Sequence, residues 1–182
     1  RRFKRNRVYV EKMDDQWDVD LMDMTDYASE NDGTRYVLMA IDIFSRYAWT
    51  VRINSKKARD VMKAFDTLLL KADGRKPVKI RTDHGGEFVN GTMKKWFDKH
   101  NILHSVTYNE VKANYVERLI KTIKSRIVKL FQHQNGFEYE KKLDNIIEGY
   151  NQTYHTSIRM KPAAVTRKMN SCCTRKCMWS LS

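Results

Sequence analysis

Cysteine is scarce in this 182-residue sequence and confined to one place: Cys172, Cys173 and Cys177 are the only three. Residues 14–165 hold none, so disulfides cannot hold the fold together. A structural zinc site takes four ligands, and the nearest histidine to the trio, His155, is 17 residues away. The three read as reduced thiols on a tail and receive no role. Proline (2) and glycine (7) are also few, which excludes a fibrous repeat and a disordered linker. No apolar run approaches the roughly 20 residues that cross a bilayer. The opening residues are basic and polar, unlike a signal peptide. A protein neither secreted nor embedded in a membrane is therefore expected.

Negative charge is in the minority. Thirty-five Lys and Arg face 22 Asp and Glu, a formal net charge of +13. The acids that are present are not evenly spread. Residues 1–12 carry Arg1, Arg2, Lys4, Arg5, Arg7 and Lys12 against Glu11 alone. Residues 13–32 then carry eight acids and no base. A basic chain with one concentrated patch of carboxylates suits a protein that holds a polyanion and chelates cations at one place. A solubilising acidic loop beside a basic tail reads the charge equally well. Hydrophobic residues, at 41%, suffice for one core, so the length predicts one domain with extensions. That domain is placed at 14–166, after a basic extension at 1–13 and before a cysteine-containing tail at 167–182.

Hydrophobic periodicity orders the elements. In Trp17–Met24, Trp17, Val19 and Leu21 alternate with Asp18, Asp20 and Met22, which predicts a strand with its carboxylates on one face. The polar stretch that follows closes on Asp32-Gly33, a turn signal. Tyr36–Phe44 is almost continuously apolar, as in a strand buried on both sides. Tyr47, Trp49, Val51 and Ile53 alternate again. The period changes over 57–71, where Ala58, Val61, Met62, Phe65, Leu68 and Leu69 mark one face of a helix that Gly74 and Pro77 end. A short strand at 78–82 runs into Asp83-His84-Gly85-Gly86. A helix at 90–100, a strand at 102–107, a long helix at 113–131 and a last helix at 143–154 follow. This order predicts an α/β domain: a mixed sheet of three antiparallel strands, then two parallel ones reached through helices.

Three carboxylates stand at element ends where they can converge. Asp20 lies mid-strand, and Asp83 closes a strand before Gly85-Gly86, which let the chain turn sharply. Glu117 falls near the start of the long helix. Such a set suits hard, oxygen-seeking Mg²⁺ or Mn²⁺, and two such ions support in-line phosphoryl displacement. Solvated surface acids are the competing explanation. Lys121 and Lys124, at i+4 and i+7 from Glu117, share its face, either for substrate phosphates or for ion pairs with Glu117.

Four segments together resemble the catalytic core of retroviral-type integrases. They are Trp17-Asp18-Val19-Asp20, Ile41–Tyr47 (IDIFSRY), Arg81–Phe88 (RTDHGGEF) and Tyr115-Val116-Glu117-Arg118. Tyr150-Asn151, His155–Ile158 and Lys161-Pro162 are similar to the end of the same core. The basic lead-in and the DLMDM phrasing are most similar to integrases of the Maverick or Polinton transposons. The resemblance covers about residues 8–166. It implies an RNase H-like fold and an Asp-Asp-Glu triad, Asp20, Asp83 and Glu117, that binds two Mg²⁺ or Mn²⁺ and no small-molecule cofactor. It also implies the reaction: cleavage near the 3′ end of the element's DNA, then strand transfer into target DNA by a homo-oligomer. It places Lys121 and Lys124 on the donor DNA end, and Tyr108 and Asn109 at the start of a loop beside the active site. A DNA substrate implies a nuclear location in a eukaryotic host.

The sequence departs from the family in places. Asp83 and Glu117 enclose 33 residues, slightly fewer than in the retroviral pattern, and Asn114 stands where a loop glycine is usual. Asp23 rivals Asp20 as first ligand. By period two it faces the other way, and the Trp17-x-x-Asp20 match together with Asp20's mid-strand place favours Asp20. The His-His-Cys-Cys and C-terminal DNA-binding parts of the family have no counterpart in these residues. The readings in play are an active core, a catalytically silent or domesticated nucleic-acid-binding remnant, and an RNase H-type nuclease.

Overall fold

A computed structural model describes residues 10–107 and 114–170. Five strands form one sheet in the order β3-β2-β1-β4-β5: β1 Gln16–Asp23, β2 Tyr36–Asp42, β3 Ala48–Ile53, β4 Lys79–Thr82 and β5 Leu103–Val106. The β1, β2 and β3 strands pair antiparallel, whereas β1–β4 and β4–β5 pair parallel. The five expected strands are present, three antiparallel and then two added in parallel. Tight turns suffice between antiparallel neighbours, while each parallel neighbour needs a crossover. Helix α1 (Ala58–Lys71) supplies the crossover into β4, and α2 (Gly91–Lys99) the one into β5. Helices α3 (Asn114–Gln134) and α4 (Glu140–Asn151) then return across the other face. The polar stretch after β1 forms a short 3₁₀ helix, Thr25–Glu30, before the turn at Asp32-Gly33.

Two cores sandwich the sheet. Trp17 and Val19 of β1 pack with Leu38, Ala40, Val51, Phe65, Trp96 and Phe97 on the α1/α2 side. Met22, Val37, Met39, Ile41, Leu119, Ile123, Ile127 and Ile147 pack on the α3/α4 side. This explains the unbroken apolar run of β2, which meets helices on both faces. Strands β1 and β3, whose apolar residues alternate in sequence, are also covered on both faces. Every β3 residue but Arg52 is buried, and in β1 both Asp18 and Trp17 are fully buried.

The carboxylate face of β1 is thus not a surface face. Asp18 lies under α3 and survives burial because Arg81, directly across the parallel register, grips it. The Arg81 Nε donates to Asp18 Oδ1 at 2.9 Å, and Nη2 donates to the second oxygen. Edge strand β3 is closed in a different way. The buried Asn151 side chain accepts from the Ala48 N–H and donates to the Ala48 carbonyl, both at 2.9 Å, as a neighbouring strand would. These two contacts give Asn151, one of the resembling residues, a structural task.

Candidate active site

The β1–β4 register brings Asp18 opposite Arg81, and two residues further along each strand stand Asp20 and Asp83. Asp20 has the same side of the sheet as Asp18 and Met22, the side that α3 covers. Helix α3 is seated there by Val116, Leu119 and Ile123, which places Glu117, exposed in its first turn, next to the same sheet end. Three elements therefore deliver Asp20, Asp83 and Glu117 to one locality. The consequence is electrostatic. Burial pushes the Asp20 carboxyl up to about 6, against a hydrogen bond from the Leu21 N–H, and the negative charges of Asp83, Glu117 and Glu87 push it the same way. Among the described residues, no three of the Asp, Glu, His or Cys side chains stand close enough together to share one ion in this arrangement.

Glu87 is the member that sequence reasoning missed. It lies inside the quoted RTDHGGEF segment, four residues after Asp83, and that spacing within one turn was the available signal. Phe88 is buried in the α1/α2 core, and the Asn90 amide donates to the Gly86 and Glu87 carbonyls, so the turn is pinned on both sides. Asn90 also caps α2 by accepting from the Met93 N–H at 2.9 Å. The two glycines were expected to let the chain turn and to leave the Asp83 carboxylate uncrowded, and the structure displays the second effect at Gly85. Neither Gly85 nor Gly86 has a positive φ. Gly85 matters for space: a Cβ there would lie 2.7 Å from Glu87 Oε2 and 3.1 Å from Asp83 Oδ1. Gly86 has open space around it. The missing methyl keeps two carboxylates close to each other over the turn, and the Gly85 N–H donates to Asp83 Oδ1 at 3.1 Å.

Asp23 stands apart from this group. It is exposed, and its Oδ1 accepts from the Thr25 N–H at 2.9 Å and the Thr25 hydroxyl at 2.7 Å. Those hydrogen bonds, with smaller help from Lys56 and Lys124, hold its carboxyl below the usual carboxylate range. Lys124 thus faces the sheet end where the acids gather. Lys121 and Lys124 are both exposed, and neither forms an ion pair with Glu117 among the described residues, so the ion-pair explanation for them is not what the structure displays. Tyr108 and Asn109 lie outside the described residues, as do Cys172, Cys173 and Cys177.

The raised carboxyl of Asp20 makes a prediction with a definite sign. Its folded-state value exceeds the unfolded one, so the native state holds this proton more tightly and loses stability as pH rises from about 4 through 6. Asp20→Asn removes that penalty. The variant is expected to be more stable than the parent by about 2 kcal/mol at neutral pH, after allowance for partial solvent screening. The gain should vanish below pH ~4, where the unfolded carboxyl is protonated too. Denaturant midpoints measured at both pH values check this. A variant less stable at neutral pH would mean that neither burial nor the neighbouring charges disfavour the Asp20 carboxylate.

Comparison with known proteins gives the class. A chain of the simian T-cell lymphotropic virus intasome superposes with a TM-score of 0.78 at 16% identity, over 91% of this chain and 60% of that one. The HTLV-2 integrase catalytic core domain, solved with magnesium, superposes at 0.66 and 17% identity, over 82% of this chain and 94% of that one. The fold is the RNase H-like fold of integrase catalytic cores. A transposon-derived protein of Caenorhabditis elegans is 31% identical over 144 residues, 79% of this chain and 50% of its own length. The retrovirus-related Pol polyprotein of the tobacco transposon TNT 1-94 is 28% identical over 98 residues, 52% of this chain and 7% of the polyprotein. The chain thus spans half the length of the nematode relative. The family model of the integrase core domain matches residues 12–109, and the chain belongs to that family.

Proposed function

We propose that this domain is the catalytic core of a divalent-cation-dependent DNA integrase, in which Asp20, Asp83 and Glu117 hold two Mg²⁺ or Mn²⁺ ions. The observation that carries the reading is the convergence of carboxylates delivered by β1, the β4 end and α3, where Asp20, raised to about 6 chiefly by burial, also feels the negative charges of Asp83, Glu117 and Glu87. The donor set fits the ions: all are hard oxygens, and their repulsion is relieved when a cation takes a place between them. When bound, the ions supply charge stabilisation for the attacking and leaving oxygens of an in-line displacement at phosphorus. The magnesium complex of the HTLV-2 core points the same way.

The chain's own residues supply placement. Asp20 is held by a rigid strand, Asp83 by the turn that leaves β4, and Glu117 by the first turn of a helix anchored in the core. Lys121 and Lys124 project from the same helix, one and two turns on, and grip backbone phosphates of the donor DNA end. Tyr108 and Asn109 contact that DNA beside the site. A water oxygen displaces the 3′-terminal fragment near the DNA end, breaking one phosphorus–oxygen bond. The freed 3′-hydroxyl then displaces an oxygen of a target phosphodiester and joins the strands. The domain works as a homo-oligomer, a proposal in keeping with the trimeric and dimeric forms in which the HTLV-2 core was solved. In a eukaryotic host the substrate places this work in the nucleus. No helix among the described residues is long and apolar enough to cross a membrane.

The test is a nicking and joining assay on labelled duplex DNA in Mg²⁺ or Mn²⁺, with chelator as control. Cut or joined products that disappear with chelator are expected. A protein that shifts DNA in a salt-dependent way yet yields no product would instead be a nucleic-acid-binding remnant.

A further inference from the structure

Lys56 follows β3, in the segment that leads to α1. Its ammonium lies 3.7 Å from Glu87 Oε1. Among the described residues this is the one ion pair made by any of Asp20, Asp83, Glu87 and Glu117. The same ammonium sits 4.9 Å from the centre of the Tyr36 ring and adds to the attraction felt by Asp23. Tyr36 is paired with Asp23 across the β1–β2 register, so the three contacts fall at one sheet end, the end where the carboxylates meet.

We propose that the Lys56 ammonium is the resident counter-charge of the carboxylate group, and that it moves onto a DNA backbone phosphate once divalent cations occupy the site. The proposal rests on the function proposed above. Two features of the contact support a movable charge. At 3.7 Å the Glu87 interaction is attraction without a hydrogen bond, and the side chain is 47% exposed. The Tyr36 ring offers attraction without direction, so the ammonium keeps its freedom to turn. The Glu87 carboxylate faces Asp83 over Gly85, so a divalent ion bound there meets Lys56 as a like charge. Its repulsion replaces the attraction that held the lysine. The nearest new anion in the proposed reaction is a phosphate of the bound DNA, which a flexible ammonium grips as a point charge.

The experiment uses the chain with three substitution states: parent, Lys56→Gln and Lys56→Arg. Mn²⁺ is titrated into each by calorimetry, and duplex DNA binding is then followed across salt concentrations with Mn²⁺ present. Lys56→Gln is expected to bind Mn²⁺ roughly three- to tenfold more tightly than the parent, because a competing positive charge is gone. Its slope of log affinity against log salt should be shallower by about one, the signature of one lost phosphate contact. Lys56→Arg should restore the parent slope. Equal or weaker Mn²⁺ binding by Lys56→Gln, or an unchanged slope, overturns this inference and leaves the cation-site reading standing. Absence of Mn²⁺ binding by the parent overturns that reading, and this inference falls with it.

Discussion

Glu117→Gln is expected to lower DNA nicking and joining by roughly 10³-fold, the scale of losing several kcal/mol of charge stabilisation at a reacting phosphate. The substitution changes charge and almost nothing else. Glu117 is exposed, so no packing is lost, and it makes no ion pair among the described residues whose loss would unfold α3. The helix is seated by Val116, Leu119 and Ile123, all fully or almost fully buried. Removing an acid from the first turn costs the helix at most about 1 kcal/mol. Duplex binding should therefore persist, since Lys121 and Lys124 remain. Product yield on labelled duplex, measured beside a binding isotherm, separates the two effects. Parent-like activity in Glu117→Gln would remove Glu117 from the reaction.

Arg81→Met is expected to destabilise the fold by about 3–5 kcal/mol, the range for breaking one side of a buried ion pair. Asp18 is 0% exposed, and among the described residues the Arg81 guanidinium is its only ion-pair partner. The Gln16 amide donates to Asp18 Oδ1 at 3.2 Å, a single neutral contact that cannot stand in for a charge. Methionine leaves that carboxylate in an apolar layer between β1 and α3. Replacing both partners, as Asp18→Leu with Arg81→Met, leaves no orphaned charge and should recover most of the loss. Urea midpoints of the two variants check this. If the single and the double substitution cost the same, the pair is held by its surroundings and not by charge. Because Asp18 and Arg81 each stand two residues before Asp20 and Asp83, the buried pair also fixes the register that sets the two acids side by side.

Much of the architecture was legible because periodicity reports burial. The continuous apolar run at 36–44 gave a two-sided strand, and the change of period at 57 gave α1. The alternation in β1 was legible too, but its meaning was not. Asp18 and Asp20 share a face, as the pattern says, yet that face is roofed by α3. What lets Asp18 sit there is Arg81, 63 positions away, and no local pattern announces such a partner. Asn151 was equally hidden. A buried asparagine closing a strand edge shows only once β3 and α4 are brought together.

Asp20 over Asp23 was decided in sequence by strand position and by likeness to the family. In the structure Asp20 feels Asp83 and Glu117 while Asp23 turns to Thr25, and the proposed function keeps Asp20 on that ground. Glu87 and Lys56 escaped notice for opposite reasons. Glu87 lay in a recognised motif and drew no separate attention. Lys56 lay in none, in a chain with 35 basic residues.

The central claim, that these carboxylates form a divalent-cation centre, is tested most directly by titrating Mn²⁺ into the parent and into Asp83→Asn under the same buffer. Asp83 is exposed and holds only its own turn, so the variant should fold as the parent does. The account predicts saturable binding of two ions by the parent and its loss in Asp83→Asn. A parent that binds no Mn²⁺, or a variant that binds it as well as the parent, would contradict it.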